Sequence, residues 1–438
     1  MLLGIVLCGA GVLAWLLMLQ LGQRVHDKSS LHRATDAASY SAAIFQARAL
    51  NMHAYLNRAQ LAHQIAMAHI IGVATAAQFR AKLGQQAQRR NPPPSLIGAF
   101  FGPQHSAAYV AALSGGLGDP FSQQTFRHAF LRHERVVHHV LSRVRSQQIQ
   151  QLDQQRQDAI QRILVRNIGH SGSALRGNSL KELGLSIQVM IDESKGFVVQ
   201  HSANDSTWRN FLTTLVRQYG YLDKRNKTQR NIWLVNVRCP HRRHELRRRG
   251  RLELGADGQW HSEESLSFHA LRHNRLIGCY HREYPMGWAV LETKSSQTMH
   301  AESSGIAMDF NRRPFWRWAR AQSGALWNIF SGRENPLAQS FGTSAAIRWT
   351  SKGLGQYAQI AEGRQHDPIR FALRVQQRLK NAVTITSEST AQTYFESPLH
   401  KSRPSLFEPY WRATLIPNLQ TNSVIIHGST SISQGAVQ

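Results

Sequence analysis

The first nineteen residues of the chain carry no charged side chain and no proline, and no later stretch is comparably apolar. A helix rises about 1.5 Å per residue, so this stretch would be roughly 28 Å long, close to the roughly 30 Å hydrocarbon core of a bilayer. A polar cluster at residues 23–28 ends it. The pattern therefore predicts a single transmembrane helix over residues 1–21.

A cleaved signal peptide and a buried core helix are the two alternatives for this segment. Signal peptides have a basic start, a shorter apolar stretch and a cleavage site of small residues. Residues 20–24 offer no such site. A buried helix fits poorly because the mean hydropathy of the whole chain is only −0.37. We therefore expect the segment to be retained as an anchor.

Two long helices are predicted after the anchor. Residues 27–90 are rich in alanine and repeat apolar residues at roughly helical spacing, until Asn91–Pro94 must end the helix. Residues 122–166 place apolar side chains on one face and glutamine and arginine on the other. We expect these two helices to pack antiparallel as a hairpin, with a short helix near residues 106–113 between them.

Beyond residue 172 the pattern changes to short runs of β-forming residues, with a hairpin turn expected at Gly255–Gly258. Helices are expected at residues 206–219 and 313–331. The predicted fold class is α+β, with a single N-terminal transmembrane helix, a long α-helical hairpin and then a mostly antiparallel β-rich domain. The expected strands cover residues 185–191, 232–238, 251–254, 259–269, 276–280, 288–291, 369–387 and 393–397.

These patterns divide the chain into four consecutive segments. The anchor is followed by a region of long helices, then by an α+β domain expected outside the cytoplasm, and finally by a flexible tail rich in serine, threonine, asparagine and glutamine. The boundaries are 1–21, 22–170, 180–417 and 418–438.

The charge of the chain is strongly positive and mostly due to arginine. The formal net charge is +26 and the isoelectric point is near 11.0. Such a field favours anionic partners, such as phospholipid headgroups, acidic polymers or nucleic acid. The sequence has no zinc-finger spacing, no RNA-binding strand motif and no basic region running into heptads. We therefore expect an anionic envelope polymer or lipid as a partner, and no nucleic acid.

The densest group of metal-binding residue types is Cys239, His241 and His244, with Cys279 and His281 forty residues on. The arginines around these histidines would repel a dication, so we do not expect a zinc site. Cys239 and Cys279 lie at the two ends of a strand-rich stretch. They are either joined by a disulfide, as in proteins of oxidising compartments, or remain two unrelated buried thiols.

A second candidate is Asp192-Glu193-Ser194, which partly matches an Asp-x-Ser-x-Ser loop that binds divalent cations through oxygen ligands. Gly196 replaces the last serine of that motif, and an ordinary turn is the alternative. The sequence has no nucleophile elbow, no phosphate-binding glycine loop and no His-Glu-x-x-His motif. We therefore predict no catalytic, cofactor-binding or metal-binding residues and no enzymatic activity.

Aromatic side chains form two groups near the end of the chain, in residues 314–318 and 406–417. Such groups are either anchors of a core or a sheet edge, or a surface that binds a partner, because tryptophan and tyrosine are common hot-spot residues. The candidate interaction residues are Trp316, Trp318, Tyr410 and Trp411.

Small residues dominate the helix after the anchor, from Leu31-His32-Arg33-Ala34-Thr35-Asp36-Ala37-Ala38 through Ser39-Tyr40-Ser41-Ala42-Ala43. This arrangement of anchor and small-residue helix resembles the TadG-like proteins of bacterial tight-adherence (Tad/Flp) pilus assembly systems. Small side chains let another helix approach closely, and the resemblance implies that partner helices pack there. The residues expected in that contact are Ala34, Ala37, Ala38, Ser41 and Ala42.

The resemblance implies a non-enzymatic component of a pilus assembly or secretion apparatus, anchored in the bacterial inner membrane by one span with most of the chain in the periplasm. Its expected partners are other pilus-assembly or pilin-like membrane proteins. Arg24, Lys28 and Arg33 follow the anchor, which by the positive-inside rule favours a cytoplasmic body. The alternative is therefore a cytoplasmic, membrane-tethered protein that binds nucleic acid or anionic lipid through its arginines.

Overall fold

A computed structural model describes residues 2–113, 123–169, 179–201, 206–220, 225–275, 278–295, 346–364, 368–379, 383–398 and 403–417. The helix expected at residues 313–331 and the tail 418–438 lie outside the described residues. Within them the chain is α+β, with long helices at the N-terminal end and mostly antiparallel sheets after them. The coarse fold class is therefore confirmed.

The first helix, α1, runs without a break from Leu2–Gln88. It ends just before Asn91–Pro94, as predicted, because proline cannot continue the backbone hydrogen bonding of a helix. Two short helices follow, α2 (Pro94–Phe101) and α3 (Pro103–Ala111). The second long helical stretch consists of α4 (Gln123–Arg135), a π-helical segment (Val136–Leu141) and α5 (Ser142–Gly169).

The beginning of α1 has the composition of a candidate membrane span. Its most apolar window of eighteen residues has a mean hydropathy of 2.1, and none of that window is buried against the rest of the chain. Leu3, Leu13 and Leu21 are each more than half exposed. In water such a surface is unfavourable, because large apolar side chains are normally removed from solvent.

Three sheets follow the helices within the described residues. Their strands are β1 (Leu185–Asp192), β2 (Val198–His201), β3 (Lys227–Arg230), β4 (Glu245–Leu254), β5 (Trp260–Asn274), β6 (Gly278–Lys294), β7 (Ile347–Thr350), β8 (Tyr357–Ile360), β9 (Ile369–Arg378), β10 (Thr384–Phe395) and β11 (Trp411–Ile416). One has four antiparallel strands in the order β1-β9-β10-β11, and another has five strands in the order β3-β4-β5-β6-β7, of which only the pair β6–β7 is parallel. The short strands β2 and β8 form the third. A single helix, α6 (Ser206–Arg217), lies between β2 and β3 where a helix was predicted.

The chain forms two compact units, and neither is continuous in sequence. Unit 1 combines residues 1–55, 147–199 and 358–438, and unit 2 combines residues 56–146 and 200–357. Each unit therefore takes one part of α1 and one of the two large sheets, whereas the predicted segments followed chain order.

The core of unit 1 lies between helices and the four-stranded sheet. Leu31, Ala34 and Ala38 of α1 pack with Ile160 and Leu164 of α5, and the apolar side chains of β1 and β9 complete the same cluster. The small side chains of α1 allow this close contact. A second cluster joins Leu50 to Phe197, Ile369 and Trp411.

The core of unit 2 lies between the end of α1, the short helices and the five-stranded sheet. Phe79 and Leu83 of α1 pack with Ile97, Phe101 and Phe268. Gly287 of β6 permits the contact, since a Cβ there would lie 2.9 Å from the Phe79 ring and 3.1 Å from Leu83.

The predicted strand over residues 232–238 is wrong, and the run predicted over residues 369–387 is divided between β9 and β10. Residues 232–238 form a loop and not a strand, although Ile, Trp and Val favour strands. The side chain of Asn231 accepts a hydrogen bond from the backbone of His244 at 2.8 Å, and that of Asn236 accepts one from Arg238 at 2.9 Å. Asparagine side chains that bond nearby backbone compete in this way with strand pairing. The expected short helix at 106–113 is α3, which begins at Pro103 and follows a second helix that the prediction missed.

Candidate functional site

Cys239 and Cys279 form a disulfide in unit 2, with their Cα atoms 5.9 Å apart. Cys239 lies in the loop between β3 and β4, and Cys279 lies at the start of β6, opposite His273 of β5. The bond therefore ties that loop to the end of the β5–β6 hairpin. Disulfides persist in oxidising compartments and are rare where thiols are kept reduced.

The same bond removes the thiolates that a zinc site would need. The nearby histidines have other partners, because His244 accepts a hydrogen bond from the backbone of Leu271 at 2.8 Å, and a ring nitrogen of His281 lies 2.8 Å from the carbonyl of Arg243. Burial lowers the pKa of His244 to about 4. Among the described residues, no three His, Cys, Asp or Glu side chains are grouped so that they could hold a metal ion.

The Asp-x-Ser loop of unit 1 holds an arginine where the sequence motif would hold a cation. Arg156 of α5 donates to Asp192 at 2.5 Å and to Ser194 at 2.7 Å, and the Ser194 hydroxyl donates to Asp192 at 2.5 Å. The guanidinium also lies 4.8 Å from the centre of the Phe371 ring and is almost fully buried. The carboxylate and hydroxyl oxygens therefore already have a positively charged partner.

Ser267, His269 and Glu283 of the five-stranded sheet have the residue types of a hydrolase triad but not its geometry. The hydroxyl of Ser267 lies 3.1 Å from Nε2 of His269, and Glu283 approaches that same nitrogen at 3.8 Å. In a triad the serine and the carboxylate contact opposite ring nitrogens. All three side chains are buried, so a substrate would not reach them.

Glu283 is an unusual carboxyl because it is fully buried. Among the described residues, neither of its oxygens has a hydrogen-bond partner of good geometry, and the nearby Ser267 hydroxyl offsets only part of the effect of burial on its pKa. Burial raises its pKa from 4.5 to about 7, since the charged form loses its hydration. Burial likewise holds the pKa of His269 well below 6.5, so neither group carries a charge in the range above the pKa of His269 and below about pH 7.

A third buried polar group, Arg145, joins α5 to α1 within unit 2. Its guanidinium donates to the side chains of Asn57 and Gln60 at 3.1 Å each, and to the backbone carbonyl of Gln356. Burial lowers its pKa to about 10. Neutral acceptors satisfy most of its donors, so Arg145 fastens two helices and a loop and has no open face toward a ligand.

The small-residue face that was predicted to receive partner helices is largely covered by the chain itself. Ala34, Ala38 and Ala42 are each at most 1 % exposed, and their neighbours are the apolar side chains of α5, β1 and β9. Ala37 and Ser41 are only half-buried. The prediction is therefore corrected for the three buried alanines, because a small-residue pattern does not distinguish an internal contact from an external one.

The candidate aromatic residues differ in their exposure to solvent. Trp411 is 3 % exposed and packs against Phe197 and Phe395, and its backbone exchanges hydrogen bonds with the side chain of Asn51. It is a core residue of unit 1 and not an interaction residue. Tyr410 is 36 % exposed and remains on the surface. Trp316 and Trp318 lie outside the described residues.

The sequence patterns do not predict a group of strongly exposed apolar side chains in the part of the body that the structure describes. Ile232 is 90 % exposed and Val237 82 %, and Trp233 and Leu234 are each nearly half exposed. The sequence does contain a signal for a loop here, because Asn231, Asn236 and Pro240 are residue types that favour turns.

Comparison with known proteins gives no matching family model, no matching curated protein and no matching solved structure. The functional interpretation therefore depends on the chain's own chemistry.

We expect the Asp192 loop to be independent of divalent metals. Adding calcium, magnesium or a chelator should leave the thermal unfolding temperature of the wild-type protein unchanged, because the oxygens that would bind a cation are already hydrogen-bonded to Arg156. Arg156→Ala should lower the free energy of unfolding by about 3 kcal/mol, since it leaves a nearly buried carboxylate without its partner. Arg162→Ala on the same helix is the matched control, because Arg162 is exposed. A wild-type protein that calcium stabilises would contradict this assignment.

Glu283 should make the stability of the protein decrease with rising pH. A raised pKa in the folded state means that its stabilising contribution is complete below pH 4.5 and is lost as the pH rises through about 7. Glu283→Gln removes this loss, so the variant should gain up to about 3 kcal/mol over wild type between pH 5 and pH 8. Denaturant unfolding at several pH values measures the difference. A difference that does not change with pH would show that Glu283 does not titrate in this range.

Proposed function

We propose that the protein is a non-enzymatic, single-pass membrane component of an envelope assembly apparatus of the Tad/Flp type, with its folded body outside the cytoplasm. The observation that carries the proposal is the continuity of α1. One unbroken helix leads from an apolar, solvent-facing beginning into the cores of both compact units. A bilayer around the first part of α1 would cover the apolar surface that the rest of the chain leaves open.

The disulfide supports the position of the body outside the cytoplasm. Cys239 is 2 % exposed, and its disulfide joins residues 40 positions apart in the sequence. Such a bond is compatible with a body in the bacterial periplasm that is anchored in the inner membrane. It would be unusual in the cytoplasm. It outweighs the basic residues after the anchor, because large domains are translocated largely regardless of flanking charge.

A helical hairpin is the architecture that the internal contacts support. In unit 2, His63 contacts His133 and the backbone of Ala74 accepts a hydrogen bond from Gln123, so residues farther along α1 meet residues earlier on α4. In unit 1, the small-residue part of α1 packs with the end of α5. The two contacts in unit 2 run in opposite chain directions, as in an antiparallel pair.

On this proposal, partner membrane proteins contact the anchor. The small-residue face near residue 38 is mostly covered by the chain itself and cannot receive them. Gly4, Cys8 and Gly11 follow one another at helical spacing on one side of α1, and the space around the two glycines is open. Small residues at such spacing let membrane helices approach closely. Pilin-like or assembly proteins with a similar helix are the expected partners.

The non-enzymatic part of the proposal is supported by the polar groups of the described residues. The Ser267–His269–Glu283 group is buried and has the wrong geometry, and Asp192 and Ser194 are held by Arg156. The second candidate function is a cytoplasmic tethered protein that binds anionic lipid or nucleic acid through its arginines. Its cytoplasmic orientation is favoured only by the basic residues that follow the anchor, Arg24, Lys28 and Arg33.

A topology reporter distinguishes the two candidates. Alkaline phosphatase folds only where its disulfides form, so a fusion after Gln438 should be active, and a β-galactosidase fusion at the same position should be inactive. Deleting residues 1–21 should release the body from the membrane fraction and abolish phosphatase activity. An active β-galactosidase fusion together with an inactive phosphatase fusion would place the body in the cytoplasm and favour the second candidate.

A further inference from the structure

The loop between β3 and β4 presents apolar side chains to solvent. Ile232 and Val237 are 90 % and 82 % exposed, and Trp233 and Leu234 are 47 % and 48 % exposed. A single exposed apolar residue needs no explanation, but four on one short loop form a patch of the kind that marks an interaction site.

The exposure is not due to a loose loop. The two ends are closed by Asn231, whose backbone donates to the carbonyl of His244 at 3.1 Å and whose side chain accepts from the backbone of His244 at 2.8 Å. The Asn231 side chain also donates to the carbonyl of Trp233 at 2.8 Å. The disulfide fixes Cys239 to the β5–β6 hairpin. The backbone that carries the apolar side chains is thus fixed before any partner binds, and the Trp233 ring, still 47 % exposed, lies with its centre 5.8 Å from that of Phe100.

The exposed charges around the loop are positive. Residues 231–244 together with 271–275 and 278–282 include six arginines and no aspartate or glutamate. The carboxylates that directly follow these segments, Glu245 and Glu283, are buried, and Glu245 is paired with Arg230 and Arg247. The structure brings these segments together, because His244 accepts a hydrogen bond from the backbone of Leu271, and Arg242 donates to the carbonyl of Cys279 at 2.7 Å. Arg238, Arg272, Arg275 and Arg282 are exposed.

Arginines elsewhere on the same sheet are arranged differently. Arg248 and Arg225 contact Glu264, and Arg251 contacts Glu263. These three arginines are therefore neutralised by buried carboxylates, whereas Arg238, Arg272, Arg275 and Arg282 lie in segments that contain no aspartate or glutamate.

An apolar tip surrounded by arginines matches the surface of an anionic bilayer. Isoleucine, leucine and valine gain free energy on entering the acyl boundary, and tryptophan prefers the headgroup level. Each arginine near the surface is attracted by anionic lipid and can bind phosphate through its paired donors. A protein partner would instead need an acidic surface with a groove for four projecting side chains, and the loop offers no carboxylate with which to pair a basic residue of such a partner.

We propose that residues 231–244 form a membrane-docking loop, in which Ile232, Trp233, Leu234 and Val237 enter the headgroup region of an anionic phospholipid bilayer while the surrounding arginines bind its phosphates. This contact is separate from the transmembrane anchor. It also does not depend on the assembly role proposed above, because the arrangement of the loop is a property of unit 2.

Vesicle binding tests the docking loop with the full-length protein, its anchor held in nanodiscs of phosphatidylcholine. Two kinds of vesicle are offered, one of phosphatidylcholine alone and one in which phosphatidylglycerol replaces about a third of that lipid. The protein should float with the anionic vesicles, and binding should weaken when salt is raised from about 0.05 to about 0.5 M.

The decisive variant is Ile232→Ser with Val237→Ser. It should weaken binding to the anionic vesicles about tenfold or more, because two apolar side chains no longer enter the lipid. The matched control is Val110→Ser with Val140→Ser, since these valines are 42 % and 50 % exposed on helices of the same unit. The control should bind like wild type, and both variants should keep the disulfide and the wild-type circular dichroism spectrum.

Three results would each overturn the proposal. The wild-type protein could bind neither kind of vesicle, could bind both equally, or could bind anionic vesicles as tightly after the loop substitution as before it. The last result would mean that the net charge of the chain alone attracts the lipid. None of these results depends on which side of the membrane the body occupies, so the topology reporter and this test can fail separately.

Discussion

The folded body depends on the packing of one face of α1. An isolated helix has little stability in water, and most of the stability of a protein helix comes from the burial of its apolar face. Leu31, Leu50, Met67 and Ile71 of α1 are almost fully buried, and small side chains such as Ala38 and Ala54 lie among them. The face thus alternates large side chains that fill the core with small ones that let strands and helices come close.

Because α1 contributes to both compact units, its packed face determines where each sheet is built. Residues before position 56 support the four-stranded sheet of unit 1, and residues after it support the five-stranded sheet of unit 2. The apolar beginning of the same helix is left uncovered.

Much of this architecture could be predicted from local sequence signals. Proline at residues 92–94 ends α1, the Gly255–Gly258 turn joins β4 to β5, and the periodicity of α6 is strong. Other features depend on residues far apart in sequence. Arg156 fills the Asp192 loop from 36 positions away, and the partners of Ala38 come from α5 and from strands more than a hundred residues later. The strand prediction for residues 232–238 is wrong because β propensity is a local property. Their structure depends instead on the side-chain hydrogen bonds of Asn231 and Asn236 and on a disulfide to a distant part of the chain.

The central claim is that the body folds outside the cytoplasm with Cys239 and Cys279 bonded. The most direct measurement is the state of these cysteines in living cells. Cells are quenched with acid, free thiols are alkylated, and peptides from the membrane fraction are analysed without reduction by mass spectrometry. The account predicts a linked peptide pair containing Cys239 and Cys279, with Cys8 alkylated. Recovery of Cys239 and Cys279 both alkylated, from cells whose periplasmic disulfides are intact, would contradict it.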